Sequence, residues 1–328
     1  MNNRRKLFVT LGTVLFTPWA VFAQTKKLPI VIAWLGGGRA DSGARGVSAF
    51  KEGMAALGWK EGQQFVINGR WAEGRIETLK SLAEEVAAKR PNIIVTTSVQ
   101  ATLAAANASQ NVPIVQAIGA SPGTVGLAKS MARPGGMVTG LTSLSEELSS
   151  KYLELLLAAA PKLKRVGFLF QRGNIIYALH MKNARSAVEH YRIEARFADV
   201  GNAEEIEPAL ERLAKEGVEG LVLPPSPGLI AAERRRILTF ALARRWPVIG
   251  GVEMLVEDGA LLSYSADGVA LQRRAAWYVD RILKGTKAGD LAIEQPTTFE
   301  ITVNLKTAKT LGLTMPPEIM VRATRVIE

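Results

Sequence analysis

The chain has 328 residues, of which 48% are hydrophobic and 22% are charged, and its formal net charge is +11. This length and composition predict a folded protein of about two domains and exclude disorder as the main state. The absence of cysteine excludes disulfides, thiolate metal sites, cysteine nucleophiles and a lipid-bearing N-terminal cysteine, and two histidines, His180 and His190, are too few for a histidine-rich metal site.

The first 23 residues predict a cleaved signal peptide. Three cations at residues 4–6 precede an apolar run, Leu7–Phe22, and Val21 and Ala23 place small side chains at the positions that a signal peptidase reads. Cleavage is therefore expected after Ala23. The run contains Pro18 and is shorter than the roughly 20 apolar residues of a spanning helix, which disfavours a membrane anchor. We expect a periplasmic protein without a lipid anchor, exported by the general or the twin-arginine route.

The remaining positive charge does not indicate a nucleic-acid partner. Removing the three N-terminal cations from +11 leaves +8, and the other basic residues are scattered along the chain. Most of them fall on predicted helices beside Glu or Ala, which is typical of solvated helix faces.

Short apolar runs alternate with amphipathic stretches along the chain, which predicts parallel sheets with helices on both faces. The predicted strands are Ile30–Leu35, Ile93–Thr97, Pro113–Ala117, Val166–Phe170, Gly220–Leu223 and Pro247–Ile249. The predicted helices are Gly46–Leu57, Ile76–Lys89, Glu146–Ala160, Ile175–Tyr191, Ala203–Lys215 and Ala231–Arg244.

An internal repeat predicts two lobes of the same kind. Segments at Ile30, Ile94 and Pro113 resemble segments at Val166, Val222 and Pro247, with offsets of 136, 128 and 134 residues. Three ordered matches at nearly one offset indicate two doubly wound lobes in tandem, with chance similarity between buried strands as the alternative. The join is expected within Gly140–Ser150.

The carboxyl ends of the predicted strands indicate where a ligand would bind, because open parallel sheets bind ligands beyond those ends. The loops there are Gly36–Asp41, Thr97–Ser98, Gly119–Pro122, Gln171–Asn174, Pro224–Ser226 and Gly250–Gly251. Helix N-termini that follow several of these loops favour anionic groups. Ordinary helix capping is the alternative for each single polar residue.

Motifs for cofactors and covalent catalysis are missing. The run Gly36–Gly38 fails the G-x-G-x-x-G spacing, because the third glycine would fall at Asp41. A phosphate-binding G-x-x-x-x-G-K-[ST] loop and a G-x-S-x-G motif are absent as well. We therefore expect no cofactor.

Several motifs together resemble one bacterial family. They are Leu57–Gln63 (LGWKEGQ), Arg70–Gly74 (RWAEG), Pro113–Val115, Ala132–Gly140 (ARPGGMVTG) and Asn304–Leu313 (NLKTAKTLGL). In these motifs, which extend over essentially the whole mature chain, the protein resembles the ABC transporter substrate-binding proteins related to the tryptophan/tyrosine-binding lipoproteins.

The resemblance implies an α/β protein of the type I periplasmic binding protein arrangement, with two Rossmann-like doubly wound lobes joined by a hinge. The expected lobes are 24–142 with 266–290, and 143–265 with 291–328. It also implies a monomeric, non-enzymatic protein that delivers a small solute to an inner-membrane ABC permease with a cytoplasmic ATPase. A ligand-sensing partner of a membrane receptor kinase and an exported hydrolase remain as alternative functions.

The sequence departs from the family where a ligand would bind. Ser121-Pro122 replaces the usual Asp-Pro, so that a carboxylate for a ligand ammonium is missing, and the turn Gln171–Asn174 replaces a Pro-Asn-Asn-Pro-like turn. With Arg39 and Arg172 on cleft loops, an organic acid is expected rather than a zwitterionic amino acid, with an aromatic or amino-acid-like solute as the open alternative. The candidate ligand-binding residues are Trp34, Arg39, Asp41, Ser98, Thr102, Ser121, Thr142, Gln171, Arg172, Asn174, Ser226, Glu253 and Tyr264.

Overall fold

A computed structural model describes residues 29–226 and 228–328. The predicted signal peptide and its cleavage position lie outside these residues. Within the described ranges, no helix combines the length and the apolar character needed to cross a membrane.

The first lobe is a five-stranded parallel sheet in the order β2-β1-β3-β4-β5. Its strands are β1 (Ile30–Gly36), β2 (Phe65–Trp71), β3 (Ile93–Thr96), β4 (Ile114–Gln116) and β5 (Val138–Gly140), and its first helices are α1 (Ala40–Ala56), α2 (Leu79–Ala88) and α3 (Val99–Ala108). Alternate residues of β1 enter different cores: Ile32 and Trp34 lie on one face of the sheet, and Ala33 and Leu35 lie on the other. The strand reads as a continuous apolar run because both of its faces are buried.

The second lobe is a seven-stranded sheet in the order β12-β11-β10-β9-β8-β6-β7, parallel except for the pair β10–β11. Its strands are β6 (Arg165–Gln171), β7 (Glu194–Val200), β8 (Gly220–Leu223), β9 (Val248–Gly250), β10 (Leu262–Ala266), β11 (Phe299–Asn304) and β12 (Arg325–Ile327). The other helices of the chain are α4 (Ser149–Ala159), α5 (Tyr177–Tyr191), α6 (Ile206–Lys215), α7 (Leu229–Ala232), α8 (Arg234–Ala243), α9 (Glu253–Glu257), α10 (Gly268–Leu283), α11 (Leu305–Leu311) and α12 (Pro317–Arg322).

The two sheets repeat one strand order, which confirms the internal repeat. The series β2-β1-β3-β4-β5 in the first sheet corresponds to β7-β6-β8-β9-β10 in the second. Each of the six predicted strands is present, with ends that differ by one residue at most. Six further strands were not predicted, among them the edge strands β2 and β7, in which polar residues interrupt the apolar run.

The chain crosses between the lobes three times. It leaves the first sheet after β5, returns after β10 to form α10 against α1, and enters the second sheet again at β11. Gly53 permits the close approach of α1 and α10, because a Cβ at that position would lie 2.5 Å from the Arg273 carbonyl oxygen. Two of the crossovers pair with each other: Thr142 N–H donates to the Glu294 carbonyl (2.9 Å), and Glu294 N–H donates to the Gly140 carbonyl (3.0 Å).

Candidate ligand-binding site

A cavity of about 320 Å³ lies between the two lobes, at the carboxyl ends of the strands of both sheets. Each of the six loops that the strand-end rule predicted contributes to its lining. These contributions are Gly38 and Arg39, Thr97 and Ser98, Gly119 and Ala120, Asn174, Pro225 and Ser226, and Gly251. The cavity therefore has one wall from each lobe, with the crossovers at its back.

The first-lobe wall contains the N-terminus of α3. Ser98 caps this helix, since its Oγ accepts a hydrogen bond from Ala101 N–H (3.2 Å). The N–H groups of Val99 and Gln100 lie in the first helical turn, where no intrahelical acceptor exists. Gly119 (φ 148°) lies so close that a Cβ there would be 2.9 Å from the Val99 nitrogen. This end of the cavity is suited to an anionic group such as a carboxylate.

The same wall contains an aromatic surface, the half-buried indole of Trp71 at the end of β2. The ring lies directly against backbone at three glycines, because a Cβ at Gly36, Gly43 or Gly69 would lie 2.7, 3.0 or 2.0 Å from it. Trp71 and Ile118 line the cavity together. They give it a flat apolar surface that suits the planar body of a ligand.

Two further carboxylates line the cavity: Asp267, at the crossover that begins α10, and Glu300, on the second sheet. Glu300 on β11 lies directly opposite Ser265 on β10, and both line the cavity. Asp267 begins α10, where its Oδ1 accepts a hydrogen bond from Ala270 N–H (2.9 Å). Neither carboxylate forms an ion pair with any described residue. Burial, followed by repulsion from Asp267 and Glu253, raises the pKa of Glu300 above its ordinary value, so a cationic group here would be stabilising.

Six of the thirteen predicted site residues line the cavity: Trp34, Arg39, Ser98, Asn174, Ser226 and Glu253. Trp34 is only 1% exposed and packs edge-on against Phe50, so its main role is in the first-lobe core. Arg39 is paired with Asp41 (3.2 Å), which does not itself line the cavity. Asn174 accepts a hydrogen bond from Gln100 Nε2 across the cleft.

Four other predicted residues lie behind the lining. Gln171 Oε1 accepts hydrogen bonds from Ser226 Oγ (2.6 Å) and Leu229 N–H (2.9 Å), and Thr142 Oγ1 donates to the Gly119 carbonyl (3.2 Å). Both side chains therefore hold loops that contribute to the cavity. Thr102 is buried and hydrogen-bonded within α3 and to the neighbouring strands. Ser121 caps a short turn through Gly123 N–H (3.3 Å).

The remaining two, Arg172 and Tyr264, point elsewhere. Arg172 forms ion pairs with Asp199 (2.8 Å) and Glu205 and lines a separate groove. Tyr264 neighbours the cavity-lining Ser265 on β10, so it faces the opposite side of the sheet and stacks on Phe299 (5.3 Å). The structure therefore gives the cavity neither the Arg172 charge nor the Tyr264 ring that the sequence suggested.

The prediction missed many lining residues with polar or aromatic groups, among them Arg45, Trp71, Gln100, Asp267 and Glu300. Asp267 directly follows β10 and would have been found by the strand-end rule had that strand been predicted. Trp71 stands in the RWAEG motif, which marked the family but not the site.

Comparison with known proteins shows which family the chain resembles over most of its length. The family described as ABC transporter substrate binding protein matches residues 39–327. The tyrosine-binding protein of Clostridioides difficile (strain R20291) is 25% identical over 265 residues, which are 80% of this chain and 75% of that protein.

Two solved structures have the same two-lobed fold. The ABC domain of Streptococcus pneumonia in complex with L-Trp has a TM-score of 0.84 at 22% identity and covers 92% of this chain and 100% of its own. The ligand-free, open structure of CD0873, a substrate binding protein with adhesive properties from Clostridium difficile, has a TM-score of 0.66 at 22% identity, with coverages of 91% and 99%.

Proposed function

Because the chain belongs to the ABC transporter substrate-binding protein family, we propose that it traps a small amino-acid-like solute between its lobes and delivers it to an ABC importer. The chain is a binding protein and not an enzyme. In this proposal it acts as a monomer in the periplasm after cleavage behind Ala23. Its partners there are an inner-membrane permease and the cytoplasmic ATPase of that permease.

The main observation behind the proposal is that both lobes contribute to the lining of the cavity. Its lining comes from strand ends of both sheets and from the crossovers between them. A solute in it would contact both lobes, and a ligand that contacts both lobes favours the closed arrangement over an open one. This is the physical requirement for a receptor that presents a bound solute to a permease.

Three features of the cavity favour an amino acid over the organic acid expected from the sequence. The N-terminus of α3 suits a carboxylate, Asp267 and Glu300 suit an ammonium group, and Trp71 suits a planar side chain. The arginines on which the earlier expectation rested are already neutralised, Arg39 by Asp41 and Arg172 by Asp199 and Glu205. The names of the tyrosine-binding relative and of the L-Trp complex agree with this ligand class.

A thermal-shift screen of the mature protein tests the proposal. The panel contains the proteinogenic L-amino acids, each with its counterpart that lacks the amino group. A ligand at 100 times its dissociation constant adds about 2.7 kcal/mol to the free energy of unfolding. We expect at least one aromatic amino acid to shift the melting temperature and its counterpart to shift it less. If only the acids that lack the amino group raised the melting temperature, the ligand would not be an amino acid.

A further inference from the structure

Arg45 connects the two lobes at the rim of the cavity. It lies on α1 of the first lobe, and its Nη1 is 3.1 Å from Glu257 and 3.9 Å from Glu253, both on α9 of the second lobe. Among the ion pairs of the described residues, two sets join the first lobe to the second: those of Arg45, and Arg274–Glu294 (2.7 Å). Glu294 lies on a crossover beside Leu141, whereas Arg45 pairs with a helix of the second lobe itself. Arg45 and Glu253 also line the cavity, so the contact adjoins the place where a solute would bind.

The acidic half of this contact is held in place without Arg45. Arg325 on β12 pairs with Glu257 (2.7 Å) and with Glu253, and all three residues belong to the second lobe. The hydrogen bond from Arg325 is the main cause that lowers the pKa of Glu257, with smaller contributions from Arg45. If the lobes separate, the two carboxylates therefore keep their pairing with Arg325, and Arg45 alone becomes unpaired.

We propose that Arg45 is an electrostatic latch that closes onto a preformed pair of carboxylates, Glu253 and Glu257, and holds the two lobes together. The latch shifts the equilibrium between open and closed arrangements whether or not solute is bound. Its effect on solute release rests on the proposed binding function. The Arg45 side chain is 61% exposed, so salt screens the contact. Exposed ion pairs of this kind change an equilibrium constant by about two- to fivefold.

Distances between spin labels on the two lobes test the latch in the solute-free protein. The chain has no cysteine, so cysteines introduced at the exposed positions Ala56 on α1 and Glu318 on α12 carry both labels. Pulsed electron paramagnetic resonance then gives the ratio of closed to open molecules at about 0.01 M and about 1 M salt, where the Debye length falls from ~30 to ~3 Å. The matched control is Arg273→Gln, because Arg273 pairs with Glu52 (2.7 Å) inside the first lobe and is similarly exposed.

We expect salt to lower the closed-to-open ratio of the parent protein by about two- to fivefold. Arg45→Gln should lower the ratio by a similar factor at low salt and should remove the salt dependence, whereas Arg273→Gln should behave like the parent. An Arg45→Gln protein with the parent's ratio and salt dependence would overturn the latch, and so would an equal effect of Arg273→Gln.

A double-mutant comparison and a probe separate the latch from the proposed function. Glu257→Gln combined with Arg45→Gln should open the lobes little more than Arg45→Gln alone, because both changes remove one contact. Additive effects would overturn the pairing. With L-tryptophan as the probe, Arg45→Gln should speed release about two- to fivefold. A protein that binds no amino acid but still opens on Arg45→Gln would refute the proposed ligand and leave the latch standing.

Discussion

The two sides of the cavity present different chemical groups to a solute. The first-lobe wall presents backbone and ring surfaces: the N-terminus of α3, the loop at Gly119, and Trp71 on its three glycines. The acidic side presents carboxylates: Asp267 at the crossover that begins α10, and Glu300 on the second sheet. A solute with one cationic and one anionic group is satisfied only when both sides meet around it. In the proposed function, this difference couples closure of the lobes to the chemistry of the solute.

Neutralising the acidic side should have the largest effect. Asp267→Asn and Glu300→Gln each remove a charged hydrogen-bond acceptor, and hydrogen bonds to charged groups contribute about 1.5–3 kcal/mol. We expect each variant to bind an aromatic amino acid at least about tenfold more weakly in isothermal titration, since 1.4 kcal/mol is about tenfold in affinity. Asn at position 267 can still cap α10, which keeps the helix start intact.

The counterpart acid that lacks the amino group is the control for these variants. Its affinity should stay the same or rise, because nothing in it pairs with Asp267 or Glu300. An equal loss for the amino acid and for its counterpart would mean that the carboxylates support the fold of the cavity rather than an ammonium group.

Removing the aromatic surface should have a smaller effect. Trp71→Leu keeps an apolar side chain but removes the flat ring, and contacts between aromatic rings add about 0.5–1.5 kcal/mol beyond the area they bury. We expect aromatic amino acids to lose about three- to tenfold in affinity, and leucine to lose less. Competition titrations with phenylalanine and leucine measure the ratio. A similar loss for both ligands would show that Trp71 only fills space.

The smallest effect concerns the stability of the solute-free protein. Because the pKa of Glu300 is raised in the folded state, the folded protein holds this proton at a higher pH than the unfolded chain does. The contribution of Glu300 to the free energy of unfolding therefore rises as the pH falls through its raised pKa and is unfavourable at pH 7. Glu300→Gln should thus melt slightly higher than the parent at pH 7, with the difference shrinking on acidification. If Glu300→Gln melted lower than the parent at pH 7, Glu300 would have a cationic partner in the solute-free protein, and this account would be wrong.

The loops of the cleft could be predicted from the sequence because parallel strands bury both faces. Their apolar runs locate the strand ends, and the six loops that follow them contribute to the cavity. The internal repeat predicted two lobes of one topology, which the strand orders confirm. The family predicted from the motifs is confirmed as well.

The carboxylates could not be predicted because they depend on strands with alternating polar residues. In β10 (LSYSA) and β11 (FEITVN), polar residues break the apolar run. A side chain one position away on such a strand faces the other way. For this reason Ser265 lines the cavity while the predicted Tyr264 packs on the opposite face.

The pairing of charges could not be predicted either, because it joins residues far apart in the sequence. Arg172 meets Asp199 and Glu205, which are 27 and 33 positions away. Arg45 meets Glu257, which is 212 positions away. Arg172 stands on a predicted cleft loop, and Arg45 directly precedes the predicted helix Gly46–Leu57. Only the fold tells that Arg172 is neutralised within its own lobe and that Arg45 bridges the lobes.

One titration tests the central claim, that the cavity holds a solute by its carboxylate and its ammonium group together. Isothermal titration of the mature protein compares L-tryptophan with indole-3-propionate, which has the same ring and carboxylate but lacks the amino group. The two-sided cavity predicts that L-tryptophan binds at least about tenfold more tightly, because only it pairs with Asp267 and Glu300. Equal or tighter binding of indole-3-propionate would contradict the claim and support the organic-acid ligand that the sequence alone suggested.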